Sequence, residues 1–167
     1  VTREPKGRVV LITGAAGGLG AALCRRYAAA GARIAAMDLD AAKLGELVAA
    51  LRTTGAEALA LPGDITDPAA CKSAVAATLA QFGALDGLIN NAGISHRSLL
   101  ADTDPDIIRR VMEVNFFGAA NLTQAALAQI VARQGIIVAI SSVAGFSPLT
   151  GRTGYAASKH ALHGFFD

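Results

Sequence analysis

Residues 9–20 constrain the fold more than any other stretch. Val9-Val10-Leu11-Ile12 is a short apolar, β-branched run that stops at Thr13-Gly14, the pattern of a strand buried on both faces. Four glycines follow within seven positions, Gly14, Gly17, Gly18 and Gly20. A helix pattern then runs from about Leu19 to Ala30 and closes at Gly31, a good C-cap. A strand that enters a helix through a glycine-rich turn brings backbone N–H groups and the positive end of the helix to one place. An ordinary tight turn needs one glycine; four suit the close approach of a diphosphate. Gly14, Ala16, Gly17, Gly18, Leu19 and Gly20 are the candidate contacts to it.

The same strand–helix rhythm continues along the chain. Ile34-Ala35-Ala36-Met37 is a second strand closed by Asp38, and Asp40 caps a helix over 41–53 that ends near Gly55. Ala58-Leu59-Ala60-Leu61 is a third strand. Asp67-Pro68 and Asp104-Pro105 are strong helix starts, with Asp at the N-cap and Pro at the first helical position. The first of these helices reaches about Phe82; the second is a long helix to about Arg133. Between them Leu88-Ile89 begins a fourth strand that runs into Asn90-Asn91-Ala92-Gly93. A fifth strand spans 135–140, and a last helix begins near Thr153 and is still running at Asp167. This alternation predicts one α/β domain over 1–167, a Rossmann-type doubly wound parallel sheet with helices on both faces. Ligands of such sheets sit beyond the carboxyl ends of the strands.

Composition excludes several functions. The chain is 53% hydrophobic and 17% charged, which suits one packed core rather than disorder. Fifteen basic against 13 acidic residues leave a net charge of +2, no footprint for nucleic acid or an anionic membrane. The charge-free stretches 9–24, 114–132 and 134–151 are interrupted by Gly, Pro, Ser or amide side chains, so none reads as a membrane span. Cys24 and Cys71 stand alone in helical segments, as reduced core thiols of a cytoplasmic protein do. His160 and His163 are three apart on a helix but lack a third ligand of suitable type nearby, so no metal is expected; His96 follows the fourth strand, at the substrate mouth or in a solvated loop.

The glycine loop fits Thr-Gly-x-x-x-Gly-x-Gly through Gly14, Gly18 and Gly20, and also Thr-Gly-x-x-Gly-x-x-Gly through Gly14, Gly17 and Gly20. The first pattern resembles the compact branch of the short-chain dehydrogenase/reductase family. The second is similar to the extended branch, with its sugar-nucleotide epimerases. Later residues decide. Asn90-Asn91-Ala92-Gly93, Val114-Asn115, Ser141-Ser142 and Tyr155-Ala156-Ala157-Ser158-Lys159 all resemble the compact branch, and Ser142 and Tyr155 are thirteen residues apart, as in that branch. The resemblance runs from about Lys6 to the last residue.

The resemblance implies an oxidoreductase that moves a hydride between a nicotinamide cofactor and a small-molecule secondary alcohol or ketone. Tyr155 is then the general acid/base, Ser142 polarises the substrate oxygen, Lys159 favours the phenolate and binds the nicotinamide ribose, and Asn115 holds a water that links Lys159 to solvent. Tyr155 and Lys159 are four apart, so a helix sets them on one face. Asp38 follows the second strand eighteen residues after Gly20, where a carboxylate accepts from ribose hydroxyls and repels a 2′-phosphate. It selects NAD over NADP, with Leu39 beside it. Asp64 and Ile65 are the adenine contacts. Asn91, Ala92 and Gly93 lie by the adenosine ribose and are mostly structural.

Residues 94–98 and 143–152 would build the substrate mouth, with Phe146, Pro148 and Leu149 as an apolar wall and Arg97 and Arg152 facing either an acid or solvent. The family's usual assembly is a homodimer or homotetramer through the long helix and the Tyr155 helix. Its members continue past the last helix here with another strand, a substrate-covering segment and a final strand. The resemblance thus makes this a C-terminally incomplete domain, a piece of a longer chain with an exposed fifth strand. Two other functions stay open: a cofactor-binding protein or truncated form without turnover, and an NAD-dependent sugar-nucleotide epimerase.

Overall fold

The computed structural model describes residues 4–147 and 149–166. Five strands, β1 (Val9–Thr13), β2 (Arg33–Asp38), β3 (Ala58–Pro62), β4 (Gly87–Asn90) and β5 (Ile136–Ala139), form one sheet. All pairings are parallel and the order is β3-β2-β1-β4-β5. The chain winds outward from β1 through β2 to β3, then crosses back to β4 and β5. The direction reverses between β1 and β4, so the carboxyl ends of those two strands open a crevice. The helices are α1 (Gly18–Ala29), α2 (Ala41–Thr53), α3 (Pro68–Phe82), α4 (Pro105–Met112), α5 (Gly118–Ala132) and α6 (Thr153–Phe166).

The pleat of β1 divides the core in two. Val9 and Leu11 enter a cluster with Cys71, Val75, Leu122 and Ala126 from α3 and α5. Val10 and Ile12 enter another with Cys24, Leu44, Leu47 and Val48 from α1 and α2. Each residue of β1 is buried, which explains why its run shows no polar alternation. Cys24 and Cys71 are free and buried, on opposite faces of the sheet. Burial pushes their thiols up to about 12 and about 11. Among the described residues, no helix is long and apolar enough to cross a membrane.

The helix expected as one piece from Pro105 to Arg133 is interrupted. Between α4 and α5 the residues Glu113–Phe117 form a π-helical turn. Such turns widen the backbone spiral and are frequent at functional sites. This one carries Asn115, which is 1% exposed. At the sheet edge β5 pairs only with β4 among the described strands, and Ile136 is exposed.

A buried carboxylate fastens the opposite end of the sheet. Asp86, just before β4, accepts from Val9 N (2.9 Å) and from Arg133 Nε (2.9 Å), with Arg8 at 3.8 Å; its side chain is 1% exposed. Burial pushes its carboxyl up, but the Val9 N–H and the Arg133 guanidinium outweigh that and hold it below the usual range. A folded-state pKa below the unfolded value of about 3.9 gives stability that is complete above that pH and lost as pH falls from there through the folded-state pKa. Asp86→Asn is therefore expected to lower urea stability by about 1–3 kcal/mol at pH 7. The difference from the wild type should shrink as the pH is taken below about 4. A difference independent of pH would contradict this role.

Candidate active site

A groove of about 660 Å³ runs across the carboxyl ends of the strands. The glycine loop forms its floor. Gly14 has a left-handed φ of +62°, and a Cβ there would lie 2.8 Å from Ala92 Cα. A Cβ on Gly20 would lie 2.0 Å from Gly14 O, so the first turn of α1 packs directly on the loop backbone. A Cβ on Gly18, in contrast, would meet nothing within 4 Å. The N-cap of α1 is Gly17, without a side-chain cap. The first-turn N–H groups thus have no helical partner and no capping side chain to compete for them. These open donors beside bare glycine surface fit a dinucleotide diphosphate.

The rest of the groove is held by polar ties. Asp38 Oδ2 accepts from Ala16 N (2.9 Å) and Oδ1 from Asp40 N (2.9 Å), which fixes the carboxylate between the loop and the end of β2. Thr13 Oγ1 accepts from Asn91 N and Ala92 N, both at 3.0 Å, and Asn91 Nδ2 donates to Thr13 O (2.8 Å). The Asn91-Ala92-Gly93 stretch is therefore fastened to the glycine loop. Asp64 accepts from the backbone and hydroxyl of Thr66, both at 2.8 Å, and has Arg110 at 3.8 Å. The Thr66 N–H chiefly holds its carboxyl below the usual range. Gly14, Ala16, Gly17, Gly18, Leu19, Gly20, Asp38, Leu39, Asp64, Ile65, Asn91, Ala92, Gly93, Tyr155 and Lys159 all line the groove.

Tyr155 and Lys159 face it from α6. Lys159 is 5% exposed, and its Nζ donates to Ile140 O (2.7 Å) and lies 5.8 Å from the Tyr155 ring centre. Burial draws its ammonium below the ordinary lysine range. Asn115 does not line the groove. Its Oδ1 accepts from Ile94 N (2.8 Å), and its Nδ2 donates to Ile94 O (3.0 Å) and Ser158 Oγ (2.9 Å). It clamps the exit of β4 to α6. It also approaches Lys159 across Gly93, whose added Cβ would lie 3.2 Å from Asn115 Oδ1 and 3.8 Å from Lys159 Nζ.

Ser142 likewise stands off the groove wall. Its Oγ accepts from Ala144 N (3.2 Å) and caps the 3-10 turn Val143–Gly145. Ser141 lines the groove in its place, with its Oγ 2.8 Å from His163 Nε2. The His163 ring packs on Phe146 at 4.2 Å between centres. His163 thus braces the Ser142 segment against the Tyr155 helix. His160 Nδ1 meets Ala156 O, and His96 Nε2 meets Ser98 Oγ, each at 2.9 Å. Phe146 and Leu149 are exposed; Pro148 lies outside the described residues.

Ile94 and Ser95, from the stretch expected at the substrate mouth, line the groove, whereas Lys43, Arg110, Ile140 and Ser141 were not foreseen. Lys43 had a signal, since it stands three residues after the helix cap Asp40 and pairs with it at 3.0 Å. Arg110 had none; packing brings α4 to the groove from 46 residues beyond Asp64 in sequence.

Sheet order, loop and groove together define a Rossmann-like nucleotide-binding domain. Comparison with known proteins gives its family. The model described as short chain dehydrogenase matches residues 8–167, and the chain belongs to that family, the short-chain dehydrogenase/reductases. It is 48% identical over 166 residues to dehydrogenase/reductase SDR family member 7B of Bos taurus, covering 95% of this chain and 51% of that protein. With human dehydrogenase/reductase SDR family member 7 it shares 37% identity over 167 residues, covering 95% and 48%. The chain thus spans about half the length of these relatives. Among solved structures it resembles a short chain dehydrogenase/reductase from Burkholderia phymatum in complex with NAD, with a TM-score of 0.95 and 30% identity over 98% of this chain and 59% of that one. NAD+-bound xylitol dehydrogenase matches with a TM-score of 0.94 and 32% identity, covering 98% and 64%.

Proposed function

We propose that the protein is an NAD(H)-dependent oxidoreductase acting on a secondary alcohol/ketone pair, with Tyr155 as the acid/base. One observation carries this reading: Tyr155 and Lys159 share a single groove with the open glycine loop and Asp38. Bound there, the nicotinamide cofactor supplies the hydride donor or acceptor. The chain supplies the rest. The glycine loop holds the diphosphate on the α1 N–H groups. Tyr155 Oη holds the proton that passes to or from the substrate oxygen. The Lys159 ammonium is fixed on Ile140 O, 5.8 Å from the Tyr155 ring centre. The Ser142 hydroxyl accepts from Ala144 N and so keeps its own proton to donate, but it would have to turn toward the groove to reach a substrate oxygen there.

Asp38 supports NAD over NADP. Two of its acceptor sites hold Ala16 N and Asp40 N, and the remaining lone pairs suit ribose hydroxyls. A 2′-phosphate would face this charge. Asp38→Ala is expected to narrow the preference for NADH over NADPH by at least about tenfold. Dissociation constants for both nucleotides, measured by calorimetry, check this; an unchanged ratio contradicts it.

The off-groove position of Ser142 favours a second reading, a nucleotide-binding protein without turnover. Intact NADH affinity with no reduction of any ketone in a broad panel would select it. For assembly we propose a homo-oligomer through α5, the π turn before it, and α6. Phe117, Leu127, Val131 and Phe165 are exposed on these elements, and Phe116 packs edge-on against Phe165. Light scattering at several concentrations tests it.

A further inference from the structure

Beside the Tyr155 end of the groove, behind its lining residues Tyr155 and Ser95, stands a cation that the proposed chemistry does not use. Arg152 immediately precedes α6, and its carbonyl accepts from Ala156 N (2.7 Å) while its N–H reaches Leu149 O (3.1 Å). The neighbouring Gly151 has a left-handed φ of +69°, and its carbonyl accepts from Ser98 N (3.0 Å). The backbone of Arg152 is thereby set against the 95–98 loop. Its guanidinium carbon lies 5.9 Å from the Tyr155 ring centre, and its Nη1 donates to the hydroxyl of Ser95, a groove-lining residue.

The other cations around the groove have partners. Lys43 has Asp40 at 3.0 Å, Arg110 has Asp64 at 3.8 Å, and Lys159 has the Ile140 carbonyl at 2.7 Å. Among the described residues no carboxylate lies within ion-pair distance of Arg152. A guanidinium offers five donors in a planar fork suited to carboxylate or phosphate. A mere rivet between loop and helix would need neither the charge nor the position beside the tyrosine ring.

We propose that Arg152 is a specificity-determining residue that receives an acidic group of the substrate, a carboxylate or a phosphate monoester, while the reacting oxygen lies at Tyr155. This rests on the reading of Tyr155 as the substrate end of the groove. It predicts an acidic ketone or alcohol as the preferred substrate, despite the apolar side chains of Phe146 and Leu149 at the mouth.

The test uses the full-length protein with NADH and two matched pairs: levulinate against its methyl ester, and hydroxyacetone phosphate against hydroxyacetone. In at least one pair kcat/KM for the acid should exceed that for the neutral partner by about tenfold or more. The favoured pair then tells carboxylate from phosphate. Arg152→Gln should bring that ratio close to one, and Arg152→Lys should restore part of it. An equal ratio in wild type and Arg152→Gln overturns the proposal. If no pair turns over, binding of levulinate and hydroxyacetone phosphate to the NAD-loaded protein is measured by calorimetry. Affinity for one acid that falls about tenfold in Arg152→Gln would uphold the anion site and leave the oxidoreductase reading to the broad ketone panel. Equal affinity, or none in either protein, would overturn the anion site.

Discussion

Tyr155→Phe is expected to lose about 10²–10⁴-fold in turnover while binding NADH almost as the wild type does. The substitution removes one hydroxyl and keeps the ring. Two cations lie near that ring, with Lys159 Nζ at 5.8 Å and the Arg152 guanidinium at 5.9 Å from its centre. Neither contact needs the hydroxyl, so α6 and the groove wall should stand. Lys159 stays fixed on Ile140 O for the same reason. What disappears is the atom that carries the proton. Cofactor titration combined with single-turnover ketone reduction separates the two effects. Turnover within a few-fold of the wild type would remove Tyr155 as the acid/base, whereas a parallel loss of NADH affinity would point to a damaged groove.

Gly20→Ala should cost about 3 kcal/mol or more and abolish nucleotide binding. In an ordinary helix interior the same change adds roughly 0.5–1 kcal/mol of stability, because alanine restricts the unfolded chain more than glycine does. Here the added Cβ would lie 2.0 Å from Gly14 O, 2.7 Å from Gly14 C and 2.9 Å from Ala15 Cα. All three are backbone atoms, so no rotamer change relieves them. The loop must lift from α1, and the diphosphate donors move with it. Gly45 in α2 is the internal control, because a Cβ there meets nothing within 4 Å. Gly45→Ala should therefore gain roughly 0.5–1 kcal/mol. Urea unfolding of both variants decides the matter; equal and opposite signs are not required, but a Gly20→Ala protein as stable as the wild type would refute the packing argument.

The sheet was legible because parallel strands buried on both faces read as unbroken apolar runs, as at Val9–Ile12 and Ile34–Met37. Helix ends were legible where a side chain makes the cap. Asp40 accepts from Lys43 N, Asp67 from Ala69 N and Asp104 from Asp106 N. The π turn was not. Nothing in Glu113-Val114-Asn115-Phe116-Phe117 announces it, and the ties of Asn115 go to Ile94 and Ser158, 21 and 43 residues away. The glycine loop was legible because steric exclusion at Gly14 and Gly20 leaves a local sequence mark.

The serine pair shows where such reasoning stops. Side-chain direction alternates along a strand, but β5 ends at Ala139 and Ser142 already caps the next turn. Which serine lines the groove therefore depends on the exit path of the chain. That path is set by Lys159 on Ile140 O and by His163 on Ser141. Asp38 is similar. Its place after a strand suggested a ribose contact, while its hydrogen bond to Ala16 N appears only once the glycine loop has folded against β2.

The central claim is that this groove holds a nicotinamide dinucleotide with Asp38 at its ribose. Parallel calorimetric titrations with NADH and NADPH test it most directly. The account predicts NADH binding on the order of micromolar, with NADPH weaker by about tenfold or more. Equal affinity for the two nucleotides, or heat from neither, would contradict it.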